Sequence, residues 1–204
     1  MPTFKQTMQN LAADIRRRKA LEGKKAGLAS TLCIVFKGGV VSVILYRVSR
    51  YLIGTRFRFL YKILVLIEHF YTKNEISPIA DLGPGLVIAD CGGVGITRVT
   101  IAGENCTFLG ANSITLGAME GFDLAKEHIV IGNHCVIGAR VRIIRPVEIA
   151  DATQIKHNSV VMFSVDKVGS VVSGFPAKRR SVENPENVLA WNPLVGGAMK
   201  GGTK

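Results

Sequence analysis

From Ile131 onward a β-branched aliphatic residue recurs at every sixth position: Ile131, Ile137, Ile143, Ile149, Ile155 and Val161. The residue after each is often small (Gly132, Gly138, Ala150), and the fifth position of each hexad is mostly small or β-branched (Cys135, Val141, Val147, Thr153, Ser159, Val165). Upstream, Ile76, Leu82, Ile88 and Val94 keep the same step, which slips to seven at Ile101 and Phe108 and returns to six at Ile114. A period of six matches neither the 3.6-residue turn of an isolated helix nor simple two-residue alternation. It predicts a parallel β-solenoid of short flat strands and tight turns. One aliphatic side chain per hexad points inward and stacks on its equivalent in the next coil, about 4.8 Å away. Small residues let the chain turn the corners, and three hexads, about 18 residues, make one triangular coil.

Before residue 76 the pattern is helical. Residues 5–22 predict a polar helix with a basic block, Arg16-Arg17-Arg18-Lys19, bracketed at its end by Gly23 and Gly27. Residues 40–53 (VVSVILYRVSRYLI) predict a second helix, broken by Gly54, and residues 57–73 (FRFLYKILVLIEHFYTK) a third. The third is apolar almost all round, which implies burial or contact with something apolar. Arginines and aromatics interleave here: Tyr46, Arg47, Arg50, Tyr51, Arg56, Phe57, Arg58, Phe59. The chain thus divides into a basic, aromatic helical domain (1–75), a β-helix domain (76–180) and a C-terminal tail (181–204). The end of that tail, GGAMKGGTK, has no apolar pattern and is expected to be disordered, and Trp191 receives no role.

Charge sharpens the division. The whole chain carries a formal net charge of +11, which by itself suggests a polyanion or an anionic membrane. Residues 1–75 hold 14 basic and 4 acidic side chains; residues 76–204 hold 12 and 11. The basicity belongs to the helices. No helix-turn-helix, finger or RNA motif accompanies it, so nucleic acid is not expected as a partner. Two readings of the helical domain remain open. It caps the open end of the solenoid, or it makes a peripheral contact with the cytosolic face of a membrane, basic residues at anionic headgroups and aromatics in the boundary. The four cysteines, Cys33, Cys91, Cys106 and Cys135, form no CxxC pair and no zinc-ligand cluster. The N-terminus lacks signal-peptide order, and no apolar run approaches the ~20 residues of a membrane span. A cytoplasmic protein, at most resting on the inner membrane surface, is expected, with no metal.

The order of motifs resembles the hexapeptide-repeat acyltransferases, and within them the serine acetyltransferase-like branch. ISPIADLGPGLVIADCGGVGI (76–96) is similar to that branch's opening coils. NSITLG (112–117) leads into AMEGFDLAKEH (118–128), a loop that interrupts the hexads. HIVIGNHCVIGA (128–139) restarts them, and SGFPAKRR (173–180) is similar to the G-x-P-A-[KR] ending of these β-helices. The resemblance implies an α+β protein, a helical N-terminal domain followed by a left-handed parallel β-helix. It implies a homotrimer with active sites between neighbouring prisms, acetyl-CoA as donor, and a hydroxyl acceptor on L-serine or on a sugar or polysaccharide precursor.

Moving an acetyl group onto a hydroxyl needs a general base, for which imidazole is well matched near neutral pH, and donors aimed at the thioester oxyanion. The family supplies a His in a turn resembling G-L-x-I-x-H-x-G-G. Here that turn reads Gly85-Leu86-Val87-Ile88-Ala89-Asp90-Cys91-Gly92-Gly93, with Asp90 in place of the His. A second family histidine, which contacts the acceptor, falls on His128. Three readings stay open: His128 is the base with Asp90 orienting it; Asp90 is itself the base; or the activity is lost and the protein is a scaffold or regulatory partner. For acetyl-CoA the resemblance points to Gly138 and Ala139, which leave room for the pantetheine, and to Gly174, Lys178 and Arg179 at the closing motif, with cations for the phosphates. His134 and His157 read as surface residues, and His69, in LVLIEHFY, as a packed or interfacial one.

Overall fold

The computed structural model describes residues 2–23, 35–90, 92–116, 127–182, 186, 191–192 and 197–198. Among the described residues three helices, α1 (Phe4–Leu21), α2 (Gly38–Ile53) and α3 (Leu60–Thr72), precede a three-faced parallel β-solenoid. A Thr3–Gln6 capping box starts α1, each side chain bonding the other's backbone N–H. Gly54 ends α2, and left-handed Lys73 ends α3. The predicted helix positions hold to within a few residues.

The first face stacks 75–76, 95–96, 113–114, 142–143 and 160–161. The second stacks 81–82, 100–102, 129–131 and 147–149; the third stacks 87–88, 107–108, 136–137, 154–155 and 170–174, closed by an antiparallel strand at 177–182. One column of side chains fills the interior from each face, such as Ile76, Ile96, Ile114, Ile143 and Val161, all buried.

The register corrects the sequence reading at two positions. Ile96, not Val94, pairs with Ile76, and Ala102, not Ile101, occupies the interior column of the second face. Ile101 points outward, 38% exposed. The turn that carries Asp90 and the two left-handed glycines Gly92 and Gly93 holds two residues more than a hexad, so that eight separate Ile88 from Ile96. After it Ile96, Ala102, Phe108 and Ile114 step by six without a slip. Nor is the tail wholly without order: Trp191–Asn192 pairs antiparallel with Gly197–Ala198.

The helices close the end of the solenoid. The first coil has no coil before it, so its carbonyls need other donors. Arg47 donates to Leu82 O and Gly83 O, both at 2.6 Å, and Arg18 to Ile88 O at 2.8 Å. Arg17 reaches Gly85 O at 2.6 Å, and Arg50 bonds the Ala80 carbonyl and, at 2.6 Å, Asp81. Asp14 completes the set, accepting from Arg47 at 2.9 Å and from Leu86 N at 2.7 Å. Gly39 lets α2 lie directly on the coil: a Cβ there would stand 2.1 Å from Ile88 O. Burial lowers Arg17 to about 10 and raises the Asp14 carboxyl against the pull of Arg47.

Candidate active site

In each two-residue strand of the first face one side chain points in and its neighbour out. The outward column reads Glu75, Gly95, Ser113, Arg142 and Val160. Its Glu75, Gly95 and Ser113 floor a cleft of about 1010 Å³, walled by α3. Tyr61, Lys62 and His69 of the helix face Glu75, Ser77, Ser113 and Thr115 of the coils. Gly95 has no side chain over the middle of this floor.

One side-chain contact among the described residues crosses from wall to floor. His69 Nδ1 lies 3.1 Å from Glu75 Oε1, the two side chains 47% and 73% exposed. Its neighbour Glu68 is fully buried, and neither carboxylate oxygen has a hydrogen-bond partner among the described residues. Burial, helped by the charge of Glu75, raises Glu68 to about 8. Nearby, Ser42 donates to Thr72 at 2.9 Å and Asn74 Nδ2 to Ser42 at 2.8 Å. His69, expected to be packed or interfacial, therefore stands half-open in the cleft.

Asp90 is exposed on the corner that leads onto the first face. Its turn is fastened to the end of α3. Gly92 N donates to Thr72 O at 2.9 Å and Gly93 N to Lys73 O at 2.8 Å, while Asn74 Oδ1 accepts from Gly92 N and Val94 N. In the next coil Gly110 leaves room beneath Asp90, since a Cβ there would lie 3.3 Å from the Asp90 Cβ. The same corner continues through Gly138 and Ala139, then His157, then Gly174. Arg140 N bonds Gly110 O at 2.9 Å, Ala139 N donates to His157 Nδ1 at 2.9 Å, and Gly174 N donates to Ser159 Oγ at 3.3 Å.

Asp90, Gly138, Ala139 and Gly174 thus share one edge of the prism. Gly138 also has a packing reason, because a Cβ there would meet His157 N at 2.6 Å and Ile155 O at 2.7 Å in the next coil. Lys178 and Arg179 are exposed on the closing strand beside that edge; Arg179 lies 3.4 Å from Asp166. His128 is elsewhere. It precedes Ile129, which pairs with Thr100, at the corner leaving the first face. Within one chain Asp90 and His128 flank the same face from opposite corners, roughly 15–20 Å apart at ~3.3 Å per residue. Cys91 and the loop 117–126 lie outside the described residues. Glu75, Ser113 and Arg142 received no role from sequence. Their signal was there, since each is the residue just before an inward aliphatic.

The arrangement offers a mostly apolar cleft that carries an imidazole, a carboxylate and hydroxyls, with an edge of small corner residues on the same prism. Among the described residues no three His, Cys, Asp or Glu side chains cluster as a metal site, and no helix is long and apolar enough to cross a membrane. No family model matches the chain. The chain is 32% identical to a Helicobacter pylori serine acetyltransferase over 140 residues, 69% of this chain and 80% of that protein. With one from Synechococcus elongatus it shares 29% over 171 residues, 83% of this chain and 67% of that one. Among solved structures, a Neisseria gonorrhoeae serine acetyltransferase superposes with a TM-score of 0.77 at 24% identity over 90% of this chain and 70% of that one. A soybean serine acetyltransferase complexed with serine gives 0.72 at 23% over 85% and 69%, and a serine acetyltransferase complexed with CoA gives 0.74 at 20% over 87% and 71%.

Proposed function

Because the chain belongs to the serine acetyltransferase family, we propose that it transfers the acetyl group of acetyl-CoA to the hydroxyl of L-serine. The observation that carries this reading is the 32% identity across 80% of a named serine acetyltransferase. The imidazole, carboxylate and hydroxyls that line the cleft on the first face support it. A relative of the same fold is known with serine bound and another with CoA. In this reading acetyl-CoA lies along the corner of Gly138, Ala139 and Gly174, with Lys178 and Arg179 at its phosphates. The acceptor sits in the cleft between the corners of Asp90 and His128. Because those corners are a face apart, His128 reaches a site beside Asp90 from a neighbouring copy, as a homotrimer of prisms would arrange it. One observation favours a second acceptor: a cleft of about 1010 Å³ is at the upper end of small-molecule sites, with room for a saccharide hydroxyl.

The test is free-thiol release from acetyl-CoA in the presence of L-serine and a panel of sugar acceptors. Turnover with serine is expected. Turnover with a sugar alone moves the acceptor to the second reading. No turnover with any acceptor, and no acetyl-CoA binding by calorimetry, overturns the enzyme and leaves a scaffold.

We also infer that the outer side of the helical domain rests on an anionic lipid surface. Phe57, Phe59, Ile63, Ile67 and Phe70 are exposed together on and just before α3. Beside them Arg56 and Arg58 are exposed, and no ion pair to either occurs among the described residues. Between Glu22 and Glu68 the sequence has no acidic residue.

A further inference from the structure

We propose that His69, held by Glu75, is the general base of the acetyl transfer, so that the catalytic imidazole comes from the last turn of α3 and not from the turn where Asp90 stands. The inference rests on the acetyltransferase reading and names the group that reading leaves open. Three observations carry it. His69 and Glu75 line the cleft from opposite sides and meet through Nδ1 and Oε1 at 3.1 Å. Pairing through Nδ1 leaves Nε2 as the nitrogen available to a substrate, with a carboxylate placed to stabilise the imidazolium, which is the nucleophile–base–orienter logic of acyl transfer. The helix that carries His69 is bonded directly to the Asp90 turn, Thr72 O and Lys73 O accepting from Gly92 N and Gly93 N. The edge of the face that lacks an imidazole on its own turn therefore receives one from the helix fastened to that turn.

The other polar groups nearby suit the task less well. Glu68 is fully buried and does not line the cleft. His157 already uses Nδ1 to accept from Ala139 N, in a corner two coils beyond the Asp90 turn's own neighbour. Asp90 is an exposed carboxylate on the corner, a side-chain type less well matched than imidazole to general-base work near neutral pH.

The step balances with the two substrates alone. Nε2 of His69 takes the hydroxyl proton as the acceptor oxygen bonds to the thioester carbonyl carbon. The tetrahedral intermediate then expels the CoA sulfur, the C–S bond breaks, and the leaving thiolate takes the proton back from Nε2. The products are the acetyl ester and free CoA thiol. Glu75 acts through His69 and is a positioning residue.

The experiment compares full-length wild type, His69→Ala, His69→Gln, Glu75→Gln and His128→Ala, with His134→Asn as the control, by thiol release with acetyl-CoA and the acceptor that the wild type uses. For His69→Ala the expected result is a kcat at least ~100-fold lower, an unchanged acetyl-CoA Kd, and partial recovery on adding imidazole. His69→Gln keeps a donor to Glu75 without a basic nitrogen and shows the same loss, which covers the case in which the alanine variant fails to fold. Glu75→Gln lowers kcat roughly 10-fold with the KM for acceptor nearly unchanged, a split that a purely structural ion pair would not give. A His69 variant that keeps kcat within threefold of an active wild type overturns the dyad and leaves the acetyltransferase reading standing. Imidazole rescue confined to His128→Ala overturns it as well and moves the base to His128. A wild type that releases no thiol with any acceptor overturns both.

Discussion

The inner and outer sides of the helical domain carry the same kind of charge and use it differently. On the inner side Arg17, Arg18, Arg47 and Arg50 donate to carbonyls of the first two coils. On the outer side Arg56 and Arg58 stand exposed among Phe57 and Phe59. The net charge of the chain is therefore not one signal. Part of it answers an open β-edge and is spent within the fold, and only the remainder is available to a partner. A solenoid coil left uncovered would expose a row of carbonyls, and guanidinium groups, with several donors each, satisfy two or three at once.

The sharpest break of this comparison is on the inner side. Arg47 and Asp14 are both 3% exposed, 2.9 Å apart, and Arg47 also holds two first-coil carbonyls. Arg47→Ala leaves a buried carboxylate without its partner and two acceptors without donors. A loss of about 3–5 kcal/mol is expected, read by urea denaturation of the full-length protein. A loss below about 1 kcal/mol would mean that water reaches that end of the coil and the cap is not needed.

Glu68 inverts the case: it is a buried carboxyl with no answering group among the described residues. Its folded value, about 8, lies above the ordinary 4.5. The folded protein therefore holds a proton that the unfolded chain gives up, and stability falls as pH rises from about 4.5 through about 8. Glu68→Gln removes that slope whatever the constant cost of burying an amide. Relative to wild type, the variant should gain on the order of 3 kcal/mol between pH 5 and pH 8. Parallel melting curves for the two proteins across that range would show Glu68 ionised in the native state and return it to the class of answered charges.

How much of this was legible beforehand follows the same division. The hexad marked the interior columns because a single contact, one aliphatic on the next, repeats along the chain. It failed first at Val94 and Ile101, where two extra turn residues shift the register without changing residue type. The corner of Asp90, Gly138, Ala139 and Gly174 was readable as a set of small and departing residues. The distance between Asp90 and His128 was not, since it depends on which corner each loop leaves from. Nor was the His69–Glu75 pair. The two residues lie six apart in sequence, on a helix and on the strand after it, and only the left-handed turn at Lys73 sets the angle that brings them together. The arginine caps were invisible for a related reason. A guanidinium that bonds backbone carbonyls leaves no complementary side chain to notice.

The smallest effect on stability belongs to the outer side. Arg56→Gln with Arg58→Gln should change unfolding free energy by no more than about 0.5 kcal/mol, because neither group holds a carbonyl or an acid among the described residues. Its consequence should appear on lipid instead. Near a charged bilayer each cation contributes about 1 kcal/mol, so the double variant should bind vesicles containing phosphatidylglycerol roughly 30-fold less tightly than wild type at low salt, by flotation. Vesicles of phosphatidylcholine alone should retain little of either protein, since the apolar residues Phe57, Phe59 and Phe70 then lack the electrostatic part of the attraction. Wild-type protein that stays in the soluble fraction with anionic vesicles removes the membrane. If Ile63→Asp or Phe70→Asp then dissociates a soluble oligomer, the face belongs to a second copy of the chain, and the outer cations, like the inner ones, would serve protein contacts alone.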